Sequence, residues 1–418
     1  MSPFDFGALL LLAAAVIGVV NDRWIGLPQP VSLLIGALGF SLALLAIGPL
    51  LPHHNLIAMA RNALSTTVLP HVLLDGVLAF LLFAASLHVS LDELRTNKWT
   101  ILRLATGGVI FSTLIFGALI WLAFQAGPAP VPLKWCFVLG AILAPTDAVV
   151  VDGVLRRVSL PASLKAAISG ESLFNDGVGV VIFLVALSAA EGATGVVGHG
   201  VVAARLLVES VGGGLIGVAT GFLAAVAMRR VRSYNVELTI SLALVLVTYR
   251  LAQTLEVSGP IAVVAAGLLI GNQKRRHATA DEKGTDIAAF WGLVDELLNA
   301  MLFLLIGFQV LVVEVSRVQI AAVVLSIPLA LIARAASISL PMLVLSIRTH
   351  DRGRGIAVLT WAGMRGGISV ALALTLPETP YREALLTVCY AVVVFSIVVQ
   401  GLTMPRFIRW LSVPASQP

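Results

Sequence analysis

The chain has 418 residues, 59% of them hydrophobic and 12% charged, at a mean hydropathy of +1.00. Soluble domains carry about 25% charged residues, so this composition excludes an ordinary soluble protein. The net charge of +5 gathers at the ends of apolar runs, where membrane topology accounts for it without any nucleic-acid partner.

Apolar runs of about 20 residues, the length a helix needs to cross a bilayer core, recur from end to end. Stretches such as Leu9 to Val20 and Ala391 to Val399 lack the polar–apolar alternation of a membrane β-barrel. The chain therefore reads as an all-α polytopic membrane protein with about 13 transmembrane helices. The first run follows Met1-Ser2-Pro3-Phe4-Asp5, which has no basic segment, and is read as a retained span rather than a signal peptide. It covers about residues 4–20, and the next spans fall at about 28–49, 71–89, 100–126, 133–155 and 161–190. The polar segment at 51–70, with His53, His54, Asn55, Arg61 and Asn62, is placed at the outer interface. Further spans fall at about 199–229, 235–255, 258–272, 286–314, 319–347, 353–376 and 383–411, with 272–286 short and polar, a hinge between halves or a solvated connector. Cys136 and Cys389 lie within spans at no ligand spacing and are expected to be small core hydrophobes.

Positive charge tests this count. Of the 27 lysines and arginines, about 19 fall in connections after odd-numbered spans or at the C-terminal end, and about 6 on the other side. Arg334 and Arg365 fall inside spans. The N-terminus is therefore expected outside, with 412–418 a short cytoplasmic tail.

Charged groups at membrane depth cost several kcal/mol and mark ion or proton pathways by default. Two acidic clusters stand out. Pro145-Thr146-Asp147 sits mid-span, where proline removes a helical hydrogen bond and frees backbone carbonyls such as that of Thr146. Asp147 can then counter the positive end of a half-helix. In Glu171-Ser172-Leu173-Phe174-Asn175-Asp176, the spacing of four puts Ser172 and Asp176 on one face, with Glu171 and Asn175 on an adjacent face toward neighbouring spans. Gly170, Gly177 and Gly179 allow another backbone close by. Carboxylate, hydroxyl and carbonyl oxygens are the ligands a small hard cation needs. A purely structural ion-pair network is the competing reading, weighted lightly for Asp176 and about evenly for Glu171.

The second half holds an analogue. Trp361-Ala362-Gly363-Met364-Arg365-Gly366-Gly367-Ile368-Ser369 breaks a span with glycine and carries a cation. The fifth and twelfth spans are seven apart, the offset expected if a first repeat (about 1–190) recurs inverted (235–411) around a linking span (199–229). The whole of 1–418 is then one membrane domain, with Asp147 and Arg365 at a crossing of two broken helices. Arg334 is a second buried cation, suited to neutralise Glu171 or Asp176.

Taken together, the Thr-Asp in a broken span, the Glu-Ser-Leu-Phe-Asn-Asp run, the later buried arginine and the Met-Arg-Gly-Gly-Ile-Ser segment resemble the NhaP-type sodium/proton antiporters. These belong to the monovalent cation:proton antiporter family, which includes the sodium/hydrogen exchangers. The resemblance implies a homodimer in a plasma membrane, expected to be a bacterial inner membrane, that exchanges Na⁺ (or Li⁺, K⁺) for H⁺ without a cofactor. Carried over by motif position, Asp176 is the principal cation- and proton-binding carboxylate. Asp147, Thr146 and Ser172 complete the site, and Glu171, Asn175, Arg334 and Arg365 organise it. Asn175 stands where electrogenic relatives have an aspartate, which implies electroneutral one-for-one exchange. Some relatives carry a further acid in the third span; Leu81-Leu82-Phe83-Ala84-Ala85 has none, and His88 and Asp75 nearby are read as interface or packing groups. A potassium/proton antiporter of the same fold is the alternative. A cation channel is the next rival, though this chain draws its charges from dissimilar spans rather than from a ring. An intramembrane enzyme ranks last, because no catalytic serine–histidine pair accompanies the acids.

Overall fold

The computed structural model describes residues 3–47, 76–89, 101–127, 129–147, 151, 162–192, 199–231, 233–277, 284–312, 320–344 and 352–411. The polar segment at 51–70, Asp75 and the tail at 412–418 lie outside them. Among the described residues every regular element is a helix. In chain order these are α1 (Pro3–Val20), α2 (Gln29–Ile47), α3 (Leu78–His88), α4 (Val109–Gln125), α5 (Leu133–Ile142), α6 (Ala162–Glu191), α7 (His199–Arg229) and α8 (Tyr234–Thr254). They continue as α9 (Gly259–His277), α10 (Gly284–Phe308), α11 (Ile320–Val344), α12 (Arg352–Ala362), α13 (Gly367–Leu374), α14 (Arg382–Phe395) and α15 (Gly401–Trp410). Helical turns of wider π type extend α1 (Asn21–Ile25), lead into α4 (Leu104–Gly108) and join α14 to α15 (Ser396–Gln400).

Nine helices among the described residues are long and apolar enough to cross a membrane. One broken pair and the shorter apolar helices Leu78–Leu87, Leu133–Ile142 and Gly259–Gln273 supply the remaining spans, so each of the thirteen expected spans has a helix. The connector expected at 272–286 is shorter than read: α9 runs on to His277 and α10 begins at Gly284.

The two breaks have different causes. α5 stops at Ile142 because Pro145 has no N–H and its ring drives the residue before it out of helical geometry. The twelfth span bends by 51° between α12 and α13. There Gly363, Gly366 and Gly367 stand where a β-carbon would strike Arg334, the Asp147 carboxylate and Leu302 respectively. Crowding by neighbours, not an unusual φ, is what selects glycine at this break.

Helix partners repeat at an offset of seven spans. α2 packs on α10 while α9 packs on α3; α1 packs on α10 while α8 packs on α3; α4 and α11 pack on each other. Within the two halves, α6 packs on α5 and α14 on α13. In lipid no hydrophobic drive presses helices together, so close contact depends on small residues. α7 shows this: Gly213, Gly217 and Gly221 lie against Ser258, Ala262 and Ala266, with a β-carbon on Gly221 only 3.0 Å from the Ala266 Cα. The opposite side of α7, with Val211, Leu215, Val218 and Phe222, is exposed as a lipid-facing surface would be.

This packing makes a test. Gly217→Val would drive a side chain into the Ala262 carbonyl, whereas Gly214, one turn-position aside, faces open space. Overpacking costs about 1–3 kcal/mol. Gly217→Val should lower the melting temperature in detergent and Gly214→Val should leave it unchanged; equal melting of both variants would refute the α7–α9 seam.

Candidate functional site

Each broken span leaves helix-end groups without intrahelical partners at a depth where water cannot serve them. The two breaks serve one another. The Arg365 guanidinium donates through Nη1 to the Ala144 carbonyl at 2.5 Å and the Pro145 carbonyl at 3.0 Å, covering the C-terminal end of α5. The Asp147 amide donates to the Met364 carbonyl at 2.8 Å. The Asp147 carboxylate lies over Gly366, directly before α13. A cation therefore meets a negative helix end and an anion a positive one, each supplied by the opposite break.

α6 closes the site from the side. Glu171 and Arg334, 2% and 4% exposed, form a two-pronged pair with Oε1–Nη1 at 2.5 Å and Oε2–Nη2 at 3.0 Å. Arg334 Nη2 also donates to the Leu359 carbonyl of α12 at 3.5 Å. The sequence left Arg334 a choice of Glu171 or Asp176; the structure pairs it with Glu171. One residue and about one turn further along α6, the Ser172 hydroxyl donates to the Thr146 carbonyl and Asn175 Nδ2 to the Thr146 hydroxyl oxygen at 2.7 Å. Asn175 thus engages the α5 break beside Ser172, and Glu171 engages α11.

Asp176 is 8% exposed, and its Oδ1 is buried with no hydrogen-bond partner among the described residues. Asp147, itself half-buried, is near enough for its charge to act on Asp176. Asn175 Oδ1 and Ser369 Oγ are also buried and unpartnered among the described residues. Such oxygens at membrane depth call for a proton or a metal cation. Gly179 admits Pro145 and Gly177 admits Ile261, so neighbouring chain stands close beside Asp176.

All eight residues singled out from sequence thus gather at the α5, α6, α11 and α12–α13 crossing. Sequence reasoning missed the main-chain acceptors Met364 and Leu359, which carry no side-chain signal, and the hydroxyl of Ser369. Its place three residues after Gly366, on the same side of α13, was a usable signal. In the third span, Asp75 and the side chain of His88 lie outside what is described.

A family model described as sodium/hydrogen exchanger, transmembrane, matches residues 10–410. The chain belongs to the sodium/hydrogen exchanger family. It is a membrane transporter rather than an enzyme. Over 99% of its length it is 37% identical to the Na⁺/H⁺ antiporter NhaP of Pseudomonas aeruginosa, 98% of which is covered. Over 96% it is 29% identical to the Na⁺/H⁺ antiporter NhaH of Halobacillus dabanensis, again with 96% covered. Its fold matches the sodium proton antiporter MjNhaP1 of Methanocaldococcus jannaschii with a TM-score of 0.76, 19% identity and 98% of both chains covered. The architecture is thus the inverted-repeat antiporter fold with two broken, crossing helices.

Removing one partner of a buried ion pair typically costs about 3–5 kcal/mol, because the other charge is left uncompensated. Arg334→Ala and Glu171→Ala should each lower the detergent melting temperature strongly. The double variant Glu171→Leu/Arg334→Met should fall short of their sum. Additive losses in that double-mutant cycle would show that the two side chains do not act as a pair.

Proposed function

We propose that this protein is a secondary active antiporter that exchanges Na⁺ for H⁺ by alternating access, with cation and proton competing for Asp176. The observation that carries the reading is the buried, unpartnered Oδ1 of Asp176 beside the crossing of two broken helices. A carboxylate held there by a fixed cation would have no reason to exchange its partner. Here the two buried arginines are engaged elsewhere, Arg334 by Glu171 and Arg365 by the α5 carbonyls. Asp176 is thus left for mobile ions. Asp147, Thr146 and Ser172 complete the cation site with carboxylate, carbonyl and hydroxyl oxygens. Glu171, Asn175, Arg334 and Arg365 organise it through the contacts described above.

In this reading 1–190 and 235–411 are inverted repeats around 199–229, a division supported by the exchange of helix partners at seven spans. Two copies form a homodimer in a bacterial inner membrane, with the N-terminus outside and the C-terminus in the cytoplasm by the distribution of positive charge. The choice among Na⁺, Li⁺ and K⁺ rests on the named relatives, which favour Na⁺.

In everted vesicles, adding Na⁺ should dequench a pH-sensitive dye, and Asp176→Asn should abolish the response while melting like the parent. The amide keeps the shape of the side chain but removes both its proton and its charge. Exchange by a correctly inserted Asp176→Asn protein would rule out this carboxylate as the carrier.

Stoichiometry follows from Asn175, which cannot bind and release a second proton. If Asp147 stays ionised, one proton trades for one monovalent cation, and the membrane potential, worth about 2.3 kcal/mol per charge per 100 mV, supplies no drive. Rising proton concentration then lowers the rate by competition at Asp176. In proteoliposomes a valinomycin-clamped potential should leave Na⁺/H⁺ exchange unchanged, with K⁺ first shown not to be a substrate. A reversal point that follows the imposed voltage would refute one-for-one exchange.

A further inference from the structure

The end of α10 is set by a side chain from another helix. Its sequence, Ile306-Gly307-Phe308-Gln309-Val310-Leu311, contains no proline that would stop it. Yet α10 closes at Phe308 and passes into a 3₁₀ turn over Gln309–Leu311, where the Val312 amide bonds the Gln309 carbonyl at 2.9 Å. Tyr390 of α14, 8% exposed, enters at this point. Its hydroxyl donates to the Ile306 carbonyl at 2.5 Å and also meets the Val310 main chain. Those two main-chain groups are four residues apart, so in a continuing α-helix they would bond each other. The hydroxyl therefore stands inside a helical hydrogen bond, and a side chain inserted in that ladder bends or ends a helix. The next carbonyl, that of Gly307, takes the Ser41 hydroxyl of α2 at 3.2 Å.

This helix end has two satisfied forms. With the hydroxyl in place, Tyr390 serves Ile306 and Val310. With it withdrawn, the two serve each other and α10 runs on. Neither form leaves a main-chain group unserved at a depth where water cannot reach it. An element with two discrete packings is what a switching protein needs. The crossing feels which form is present. Leu302, one turn before Ile306 on the same face of α10, fills the space over Gly367 at the start of α13. The Asp147 carboxylate lies over the neighbouring Gly366, and α14 itself packs on α13.

We propose that Tyr390 is a brake on the transport cycle, a role that rests on the alternating-access reading given under the proposed function. Its hydroxyl holds α10 short in the state described here. Turnover is limited by its withdrawal, upon which the Val310 amide closes onto the Ile306 carbonyl.

The test compares the full chain with Tyr390→Phe, which keeps the ring and loses the hydroxyl. In everted vesicles at saturating Na⁺, Tyr390→Phe should exchange about fivefold faster than the parent, the factor that one hydrogen bond supplies. A structure of the variant should show α10 continuing past Phe308, with the Val310 amide on the Ile306 carbonyl. A rate at or below that of the parent would overturn the brake, because a hydroxyl that merely braces the fold cannot speed transport by its loss. A helix that still ends at Phe308 would overturn the switch. Should Tyr390→Phe not fold, Tyr390→Met is read by the same two measures. A parent that shows no exchange at all would instead strike the antiport reading, while the helix end of the variant would still be decided by its structure.

Discussion

Two helices broken inside a bilayer create a debt of hydrogen bonds that lipid cannot settle, and the rest of this structure is arranged around settling it. Arg365 covers the Ala144 and Pro145 carbonyls just past the end of α5, and the Asp147 amide takes the Met364 carbonyl across the crossing. Because each break completes the other, neither could form alone at this depth. The helices around them hold that mutual arrangement in place. α6 is latched to the α5 break through Thr146, and to α11 through the Glu171–Arg334 pair.

Charge is distributed to the same end. Every formal charge at the crossing except that of Asp176 has a fixed counterpart: Glu171 with Arg334, Arg365 with a helix C-terminus, Asp147 with the start of α13. What remains is the Asp176 carboxylate, whose buried Oδ1 has no hydrogen-bond partner among the described residues. Neighbouring helices can close beside it because glycine stands at the contact points, Gly179 under Pro145 and Gly177 under Ile261. Had either carried a methyl group, the acid and its surroundings would be held apart.

Much of this was legible in the sequence, and the division between what could and could not be read is physical. Apolar run length gives the spans, since the bilayer sets one scale for all of them. Pro145 announces its break because proline acts locally, through its own ring and missing donor. Buried acids and bases announce themselves by their cost. Pairing does not, because Glu171 could meet Arg334 or Arg365 under the same pattern, and only the three-dimensional approach of α6 to α11 decides. That Asn175 would engage a neighbouring span was legible; that its partner there is Thr146 was not, because Thr146 lies in backbone that has left helical geometry. Main-chain acceptors such as Met364 and Leu359 are invisible by nature, since any residue offers the same carbonyl. The side chain of Ser369, by contrast, could have been flagged from its place beside Gly366.

The Arg365 contacts have a consequence for suppressor genetics. Arg334 leans on a side chain, so a lesion there can in principle be answered by a reciprocal change at position 171. Arg365 leans on the carbonyl oxygens of Ala144 and Pro145, which every amino acid possesses and none can re-charge. The partner surface has no allele to offer. Loss of that guanidinium can be compensated only by another hydrogen-bond donor reaching the same oxygens, which narrows the accessible second-site changes to a few positions around the crossing.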